Sequence, residues 1–501
     1  MMLLKIDGNA VAAEAGQSVR DLILALGMDS LALRERPLAA KIAGEVFTLN
    51  YVPVRATPGE EDSIDVRRAM AASGGEIQLL HYTDSIGKKV YTRTECFLVF
   101  LAIRTLWPKA AAKISCTLGN AVYVSIEGET HFSVAALKDK VREYIAEDFP
   151  FVRRRMTRQE AIRPDKAELL RWYQSDYFDE YVHEGFSDYF FGEMLPSSGY
   201  LTVWNLLETE GGVIIQYPDD LSPDRPAEFK ASPNFFSVFS EGERWGTLME
   251  CSTVADKLYN LGSGQGGSIR ELIRVNEALH EKRISQIADM VCLRGARVVM
   301  LAGPSSSGKT TSANRLATQL RVHGKKPILM SLDNYYIDRD KLAPGPDGKL
   351  DLEHINTLDT PLFRADIAAL LAGQEVMLPT FNFVAGKREW DGKKLRLEEN
   401  SVIIVEGIHG LNPQMVPDGV AEHEMFKLYV SPLLPLNLDN HNRIPTSYLR
   451  LLRRIVRDYE TRGSSVQRTI SMWDSVQSGE KRWIFPYQEN ADVIFNSSTL
   501  Y

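Results

Sequence analysis

Short apolar runs alternate with stretches of helical spacing through the last two-fifths of the chain. A short apolar run bounded by turn residues is typical of a buried strand, and apolar residues three and four positions apart are typical of a helix. Helical spacing follows the first run directly, in residues 312–322. Strands that alternate with helices favour right-handed crossovers, so this part is predicted to be an α/β domain with a parallel sheet. Its predicted strands are residues 298–302, 327–331, 402–405, 426–430 and 492–495.

The N-terminal part has shorter, strand-rich patterns. Residues 2–6 and 10–13 flank the sequence Asp7-Gly8-Asn9, which is a hairpin signal. Ser18 is a suitable N-cap for an amphipathic helix, and residues 40–47 predict another pair of strands. This segment is therefore predicted to be a small domain of strands and one helix.

A glycine-rich stretch, residues 263–268, precedes the α/β domain. It has few apolar side chains that could anchor it in a core, so it is predicted to be a domain boundary. Residues 269–293 follow with apolar positions at helical spacing and predict a helix. The sequence leaves open whether this helix packs one domain on another or lies on the surface.

The composition is that of an ordinary globular chain. With 501 residues, 44% of them hydrophobic and 25% charged, it is predicted to form about three domains. The net charge of -8 argues against a broad surface for binding polyanions. No apolar run approaches the ~20 residues that a membrane span needs. The cysteines lack metal or disulfide spacing, so reduced thiols and a cytoplasmic location are expected; they are Cys96, Cys116, Cys251 and Cys292.

A glycine loop separates the first predicted strand of the α/β domain from its first helix. Residues 303–310 fit the pattern G-x-x-x-x-G-K-[ST], and a strand before it and a helix after it form the context in which this motif binds phosphates. Lys309 is expected to reach the β- and γ-phosphates of ATP, and the Thr310 hydroxyl is expected to hold Mg²⁺. The residues predicted to bind ATP are Gly303, Pro304, Ser305, Ser306, Ser307, Gly308, Lys309, Thr310 and Thr311.

Two acidic residues follow predicted strands. Asp333 comes just after residues 327–331 and can accept the proton of an attacking hydroxyl. Glu406 directly follows residues 402–405 and can orient the water shell of a metal ion. Phosphate-handling residues are expected at the carboxyl ends of the strands. Nearby positive charge is expected to keep Asp333 ionised at neutral pH.

A basic helix is predicted over residues 450–462, with Gly463 as its C-cap. Spacings of three and four put four of its arginines on one broad face, with Arg462 past the end. A solvated helix whose arginines pair with acids is one interpretation. A phosphate-contacting face is the other, and the phosphate loop on the same domain favours it. The four arginines are Arg450, Arg453, Arg454 and Arg457.

These motifs together resemble the uridine kinase and phosphoribulokinase superfamily, and within it the uridine-cytidine kinases. The resemblance extends from about residue 296 to the end of the chain. It implies that Asp333 is the general base and that Arg457 and Arg462 are lid arginines that contact the triphosphate of ATP. Its markers, beyond the phosphate loop, are Asp333-Asn-Tyr-Tyr336, Leu378-Pro-Thr-Phe-Asn-Phe383, Glu406-Gly-Ile408, Arg453-Arg-Ile-Val-Arg-Asp458, Arg462-Gly463 and Pro486 before Ala491-Asp492.

The same resemblance implies an acceptor site. Tyr336, Phe381 and Phe383 would line a nucleoside pocket, and Glu353 would hold the ribose hydroxyls. Glu353 stands where the uridine-cytidine kinases have aspartate, so its carboxylate lies one methylene further out. Gly386 stands where those kinases have a histidine that reads the pyrimidine, so the identity of the base stays open.

Two further segments resemble parts of threonyl-tRNA synthetases. Residues 1–68 resemble a TGS domain, a β-grasp module that binds RNA or partners in some proteins and is a folded appendage in others. Residues 69–262 resemble the α+β editing domain, through residues 93–108, 151–161 and 186–200. A helical linker, residues 263–295, would join these domains to the kinase domain, residues 296–501. This order resembles that of bacterial uridine kinase-like nucleoside kinases.

The editing-like segment departs from its family at every metal-ligand position. Where that family has two H-x-x-x-H histidines, this chain has Arg93 and Phe97; where it has a C-x-x-x-H pair, this chain has Phe190 and Met194. These side chains cannot replace imidazole and thiolate around Zn²⁺. A zinc-dependent hydrolase is therefore not expected. His183 and His81 lie nearby, and each is expected to be an ordinary polar residue.

Three functions fit the sequence. The first is a nucleoside kinase, uridine/cytidine-like, that uses ATP and Mg²⁺ and phosphorylates the 5′-hydroxyl of a small-molecule nucleoside. The second is a regulatory or RNA-linked P-loop ATPase that senses tRNA or an amino acid, which the acidic charge disfavours. The third is a phosphoribulokinase-like sugar kinase. Gly386 is compatible with it, because such an enzyme does not read a base. Oligomerisation stays open, and because the chain stops at Tyr501 directly after a strand signal, truncation is expected.

Overall fold

The computed structural model describes residues 2–29, 32–54, 75–129, 131–161, 177–249, 251–254, 269–343, 351–383, 385–434 and 436–501. The chain divides into two compact units. The first consists of Met1–Ala231, Thr253–Ala255 and Asn437–Arg443, and the second consists of Ser232–Ser252, Asp256–Leu436 and Ile444–Tyr501. The boundaries predicted at residues 68/69 and 262/263 lie outside the described residues.

A small mixed sheet and one helix open the first unit. Their bounds are β1 (Met2–Ile6), β2 (Asn9–Ala13), α1 (Val19–Ala25), β3 (Ala39–Ile42), β4 (Glu45–Thr48) and β5 (Glu76–Leu80). The strand order is β2-β1-β5-β3-β4. The predicted hairpin is confirmed, with Asp7 and Gly8 both at positive φ in its turn. The predicted N-cap is also confirmed, because Ser18 and Asp21 form a reciprocal capping box at the start of α1.

The rest of the first unit combines helices with two antiparallel sheets. Its elements are α2 (Ser85–Leu106), β6 (Ala111–Thr117), β7 (Ala121–Glu127), α3 (Val134–Glu147), β8 (Val152–Thr157), α4 (Arg158–Ala161), β9 (Tyr177–His183), β10 (Phe186–Asp188), β11 (Asn205–Thr209) and β12 (Gly212–Gln216). The sheets have the orders β11-β12-β7-β6 and β10-β9-β8. Helix α2 buries an unbroken run from Thr94 to Ile103, since that stretch is apolar nearly all round.

A segment from late in the sequence, Asn437–Arg443, belongs to the first unit. The amide nitrogen of Asn437 donates to the carbonyl oxygen of Ile114 at 2.7 Å. The amide nitrogen of Asn442 donates to the carbonyl oxygen of Tyr189 at 3.0 Å. These side-chain bonds to backbone carbonyls fix the segment against β6 and the residues that follow β10.

The second unit contains the α/β domain. Its elements are α5 (Pro233–Leu248), α6 (Ile269–Arg294), β13 (Val298–Ala302), α7 (Lys309–Val322), β14 (Lys326–Ser331), α8 (Thr360–Leu371), β15 (Val376–Met377), β16 (Thr380–Asn382), β17 (Lys387–Glu389), β18 (Lys394–Leu395), β19 (Ser401–Glu406), β20 (Met425–Ser431), α9 (Thr446–Arg462), α10 (Val466–Trp483) and β21 (Val493–Asn496). Five strands form a sheet in the order β14-β19-β13-β20-β21, and every pair in it is parallel. The predicted parallel sheet is confirmed.

Both faces of this sheet are buried, as expected for a parallel sheet covered by helices. Successive residues of β13 point to opposite faces. Val299 and Leu301 pack in a cluster with residues of α6 and α7. Val298 and Met300 pack in a second cluster, with residues of α8. The sheet is therefore the middle of three layers.

Helix α6 answers a question that the sequence left open. Its residues Ile284, Ile287 and Val291 are buried in the cluster that contains Val299 of β13. The helix is thus part of the core of the second unit. Among the described residues, no helix is long and apolar enough to cross a membrane.

Candidate active site

The carboxyl ends of three neighbouring strands meet at one edge of the parallel sheet. Glu406, the last residue of β19, pairs in register with Ser331 of β14 and with Leu301 of β13. The phosphate loop leaves β13 one residue later, and Asp333 lies two residues after Ser331. The topology therefore brings the loop, Asp333 and Glu406 to the same edge.

Two glycines give the phosphate loop its shape. A Cβ atom added to Gly303 would lie 2.1 Å from the carbonyl oxygen of Val430, so only glycine fits beside β20. Gly308 has φ +92° and is the N-cap of α7. This left-handed conformation favours glycine and turns the chain into the helix. The backbone N–H groups at the helix start are then free to face an anion.

A cavity of about 210 Å³ opens above the loop. It is lined by loop residues and by two arginines of α9, Arg453 and Arg457. The predicted Arg457 therefore lies with the predicted loop residues. The sequence predicts Arg453 on the same helix face as Arg457 but gives it no role of its own in the site. The two arginines are four residues apart, which is about one helical turn, so both can face the cavity. The loop residues that line the cavity are Ser306, Ser307, Gly308, Lys309, Thr310 and Thr311.

Lys309 is the cation inside the loop. Its ammonium group donates to the carbonyl oxygen of Pro304 at 3.1 Å. Burial lowers the pKa of Lys309, while the carboxyl groups of Glu406 and Asp333 act in the opposite direction. The two predicted acids thus lie close enough to this lysine to stabilise its charge.

Glu406 is linked to the loop through a hydroxyl. The Thr310 hydroxyl and the Ser331 hydroxyl each donate to one carboxylate oxygen of Glu406, both at 3.3 Å. Burial raises the pKa of Glu406, and Lys309 opposes this shift. Hydroxyl and carboxylate oxygens are the ligands that Mg²⁺ prefers. Thr310 and Glu406 therefore have the chemistry and the proximity to hold that ion.

Asp333 lies in a short 3-10 turn, Leu332–Tyr335, directly after β14. Burial raises the pKa of Asp333, and the charges of Lys309, Arg462 and Arg457 oppose that rise. The expected positive neighbours are thus present. Burial is nevertheless the larger effect, which the sequence could not indicate because depth depends on the packed fold.

Three arginines of α9 lie around one buried carboxylate, that of Asp458. Asp458 lies 3.3 Å from Arg454, 2.7 Å from Arg457 and 3.9 Å from Arg462, measured between side-chain nitrogen and oxygen atoms. The Arg462 side chain is 52% exposed, whereas that of Asp458 is 7% exposed. Helix α9 ends at Gly463, which has φ +60°, so the predicted glycine C-cap is confirmed.

Three aromatic side chains form a cluster next to Asp333. The ring of Tyr336 lies 5.5 Å from that of Phe381 and 6.3 Å from that of Phe383, and the last two are 5.3 Å apart. Phe383 is 48% exposed, so the cluster has an open side. These are the three aromatic residues that the resemblance assigned to a nucleoside pocket.

Glu353 is the acid assigned to ribose. Burial raises the pKa of Glu353 to about 7, with the charge of Glu480 adding to the shift and Arg454 and Lys309 opposing it. The proximity of these charges links Glu353 to the basic face of α9. A carboxyl group with a pKa near neutrality changes its charge in the physiological range.

Gly386 cannot carry the side chain that uridine-cytidine kinases use to read the base. It has φ +67°, and an added Cβ would lie 2.7 Å from Cδ of Arg339. The Arg339 backbone N–H donates to the Gly386 carbonyl at 2.9 Å. An arginine side chain therefore packs where the resemblance would put a histidine.

Comparisons with known proteins match the segment of the chain that contains this site. Residues 298–500 match the model of the phosphoribulokinase / uridine kinase family. A uridine kinase from Ligilactobacillus salivarius (strain UCC118) is 30% identical over 198 residues, which are 39% of this chain and 83% of that protein. A uridine kinase from Halobacterium salinarum (strain ATCC 700922 / JCM 11081 / NRC-1) is 29% identical over 196 residues, which are 39% of this chain and 77% of that protein.

Through this segment the chain belongs to the phosphoribulokinase / uridine kinase family. Among solved structures, D-glycerate 3-kinase from Cryptococcus neoformans var. grubii is similar with a TM-score of 0.27 and 15% identity, over 40% of this chain and 87% of that chain. The sequence relatives, rather than this weak structural likeness, carry the assignment.

Two residues of the kinase-family segment contact the phosphate loop through Ser305, and the sequence did not predict that they pair. Glu480 of α10 accepts a hydrogen bond from the backbone N–H of Ser305 at 2.9 Å. Arg450 of α9 donates to the carbonyl oxygen of the same residue at 3.2 Å. Arg450 was noted as part of the basic face, but Glu480 carries no local motif. The two residues form an ion pair although they are 30 positions apart, and sequence spacing does not predict a pair over that distance.

The family match begins at Val298, so it leaves out the four positions where an editing domain would hold zinc. There, Phe97 and Phe190 pack edge to face, with 5.4 Å between ring centroids. Met194 is 1% exposed. The guanidinium group of Arg93 donates to the carbonyl oxygen of Glu193. The four side chains form a packed, mainly apolar cluster that offers no set of metal ligands.

His441, from the segment Asn437–Arg443, packs on this cluster. Its ring stacks on that of Phe190, with 5.4 Å between centroids and 4° between planes. Its Nδ1 atom lies 2.7 Å from a carboxylate oxygen of Asp188. A residue of the kinase-family segment thus covers the aromatic cluster in the first unit.

His183 is less isolated than the sequence suggested. Its ring stacks on Phe149, with 3.4 Å between centroids. Together with Glu147 and Glu184 it forms the one group of three potential metal-ligating side chains found among the described residues. The two glutamates are exposed, and exposed acids commonly gather without a metal.

Proposed function

We propose that the protein is an ATP-dependent nucleoside kinase that transfers the γ-phosphate of ATP to the 5′-hydroxyl of a nucleoside. The observation that carries this proposal is the Asp333 carboxyl group, which lies within the electrostatic influence of Lys309, Arg457 and Arg462. Phosphoryl transfer to a hydroxyl needs a base beside cations that stabilise the phosphates.

On the donor side, the backbone N–H groups at the start of α7 and the ammonium group of Lys309 would bind the phosphates. Arg453 and Arg457, which line the same cavity, would balance the charge that develops on the transferred phosphoryl group. Thr310 and Glu406 would hold Mg²⁺, and that ion neutralises phosphate oxygens when bound. Arg462 is exposed, so we propose that it reaches the triphosphate as a lid arginine.

On the acceptor side, Asp333 would take the proton of the hydroxyl whose oxygen forms the new bond to phosphorus, and ADP would leave. The open face of the cluster Tyr336, Phe381 and Phe383 suits the planar base of a nucleoside. Glu353 would accept hydrogen bonds from ribose hydroxyls. It can do so through both oxygens only when it is ionised.

A second candidate, a sugar kinase, has one observation in its favour. Arg339 packs against Gly386, the position that would otherwise read a pyrimidine. A guanidinium group suits a phosphate or carboxylate on the acceptor better than it suits an uncharged base. A phosphorylated sugar is therefore the alternative acceptor class.

The test is a phosphoryl-transfer screen with Mg²⁺ and ATP over the common nucleosides and several sugar phosphates. Formation of a nucleoside 5′-monophosphate supports the first proposal, and phosphorylation of sugar phosphates alone replaces it with the second. ATP hydrolysis without transfer to any acceptor would contradict both kinases and fit a regulatory ATPase. The Asp333→Asn variant is the control for contaminating kinases. A rate of phosphoryl transfer that belongs to this site should fall in the variant, whereas the rate of a contaminant should not.

For the first unit, we propose that its N-terminal sheet is a TGS-like β-grasp module and that the remainder is an editing-like domain without a metal. The packed side chains Phe97, Phe190 and Met194 support the second part. We also propose that the protein works in the cytoplasm, without a membrane partner. RNA binding is not favoured, because the net charge is -8.

A further inference from the structure

One residue of the phosphate loop has all its polar groups bound by two helices. The backbone N–H of Ser305 donates to a carboxylate oxygen of Glu480 at 2.9 Å. Its carbonyl oxygen accepts from Arg450 at 3.2 Å, and its hydroxyl accepts from Arg454 at 2.9 Å. Ser305 is therefore fixed from behind the loop, while the residues from Ser306 onward line the phosphate cavity.

The two central partners are a buried ion pair. Glu480 is 0% exposed and Arg450 is 3% exposed. The two terminal nitrogens of Arg450, Nη1 and Nη2, donate to the two carboxylate oxygens of Glu480, the second of them at 2.7 Å. Buried pairs are often no more stabilising than apolar side chains of the same size, because desolvation offsets the attraction. Stability alone therefore does not account for this pair. Its contacts with Ser305 point to a role in holding the phosphate loop.

The residue before Glu480 contacts the acceptor side of the site. A Cβ atom added to Gly479 would lie 2.4 Å from Cβ of Glu353. Gly479 is buried within α10, so the helix comes this close to Glu353 only because position 479 has no side chain. Two consecutive residues of one helix turn are thus involved: Glu480 contacts the phosphate loop, and Gly479 lies against the side-chain carbons of Glu353, the residue assigned to the acceptor.

We propose that Gly479 and Glu480 together position the two halves of the site. Glu480, with Arg450, sets the phosphate loop through Ser305, and Gly479 sets the location of Glu353. Neither residue touches a substrate in this scheme, so both are positioning residues. The inference rests on the proposed function, because it assigns the loop to ATP and Glu353 to the acceptor.

The experiment on the donor side is Glu480→Gln, which keeps the shape and an oxygen acceptor but removes the charge that pairs with Arg450. The Kd of a nonhydrolysable ATP analogue with Mg²⁺, measured by calorimetry, should rise about 10-fold, because the hydrogen bonds that Arg450 and the Ser305 N–H make to a carboxylate become weaker bonds to a neutral amide. Glu281→Gln is the matched control. Glu281 pairs with Arg315 between α6 and α7, away from the loop, and its loss should leave Kd unchanged.

The experiment on the acceptor side is Gly479→Ala. The added methyl group must displace Glu353, so the KM of the acceptor should rise about 10-fold while the Kd of the ATP analogue stays within about 2-fold. Gly246→Ala in α5 is the matched control, since the atom nearest to an added Cβ there is the carbonyl oxygen of Cys251 at 3.3 Å, against 2.4 Å at Gly479. That variant should alter neither constant.

A charge swap separates positioning from simple stability. Glu480→Arg combined with Arg450→Glu retains an ion pair but presents a cation to the Ser305 N–H and an anion to its carbonyl. Recovery of wild-type ATP affinity in the double variant would overturn the proposal. So would an unchanged Kd in Glu480→Gln, or a Gly479→Ala variant in which Kd and KM rise together with a lower Tm. Absence of ATP binding by the wild-type protein would instead contradict the proposed function.

If Glu480→Gln does not fold, Arg450→Lys tests the same point, because it keeps a positive charge but replaces the two-nitrogen contact with Glu480 by a single ammonium group. A measurable rise in the Kd of the ATP analogue at unchanged Tm supports the positioning role. Wild-type affinity in a folded Arg450→Lys protein, together with a Gly479→Ala variant of unaltered acceptor KM, would overturn the proposal.

Discussion

Lys309 is the side chain whose loss has the most direct expected effect. Its ammonium group lies inside the loop, close to Glu406 and Asp333. Lys309→Ala should lower kcat by roughly 10²–10³-fold, since a preorganised charge at the transferring phosphate would be lost. Circular dichroism and Tm should stay close to those of the wild type. Near-normal turnover in the variant would show that the phosphate site is wrongly assigned.

Asp333 can be tested with a variant of the same shape. Asp333→Asn cannot take a proton, so kcat should fall by roughly 10²–10⁴-fold while the Kd of ATP changes little. If Asp333 only caps its turn, the variant would lose some stability and almost no turnover. A fall in both turnover and ATP affinity would indicate that Asp333 serves the metal.

Glu353 gives the site a pH dependence. Its folded pKa, about 7, is above the ordinary value because of burial, so the group is protonated below that pH and ionised above it. Since the ionised carboxylate accepts hydrogen bonds from two hydroxyl groups through both oxygens, the KM of the acceptor should fall as pH rises through about 7. Glu353→Gln should have a KM that is higher and flat across this range. A wild-type KM that is independent of pH between 6 and 8 would rule out this role.

Among single residues, the sequence predicted those that belong to one short motif and missed those whose partners are distant in the chain. Lys309 and Thr310 are parts of one short motif, and the structure puts them at the predicted edge of the sheet. Glu480 and its ion pair with Arg450 were missed, because the pair forms only after two helices pack. The pKa of Asp333 was anticipated from its charged neighbours alone, whereas its depth in the fold has the larger effect.

Among the elements, those with continuous or periodic apolar patterns were predictable. All five strands of the parallel sheet were identified, because each reads as a short, mainly apolar run, and the central strands β13 and β19 are buried on both faces. The strands β15 to β18 were not identified, since they are two or three residues long and lack a pattern. Helix α6 was identified as a helix but not as part of the core. Periodicity shows that a face is apolar and does not show what it packs against.

Helix α9 illustrates the limit for charged elements. Its arginines follow one pattern in sequence, yet Asp458 binds three of them and Glu480 binds another. Ion pairs are therefore present along this helix, and contact of its arginines with phosphate stays a proposal. The acids orient the guanidinium groups, and Arg453 and Arg457 still line the cavity.

For the whole molecule, the proposed editing-like domain gives a further prediction. The purified protein should contain no stoichiometric zinc and should not deacylate mischarged tRNA, because Phe97, Phe190 and Met194 offer no suitable ligand set. Elemental analysis is the measurement, and one zinc per chain would contradict the proposal. His183→Ala would then locate the ion, since His183 with Glu147 and Glu184 is the remaining ligand group among the described residues.

The segment Asn437–Arg443 has a consequence for how this protein can be divided. It lies inside the stretch that matches the kinase family, yet its side chains bond to residues of the first unit, such as Ile114 and Tyr189. A gene fragment that starts near residue 296 would encode every residue of the proposed phosphate site. It would also leave Asn437 and His441 without the partners that bury them. A fragment cut at that point would therefore expose side chains that the intact chain buries, so we expect it to be less soluble than the whole protein.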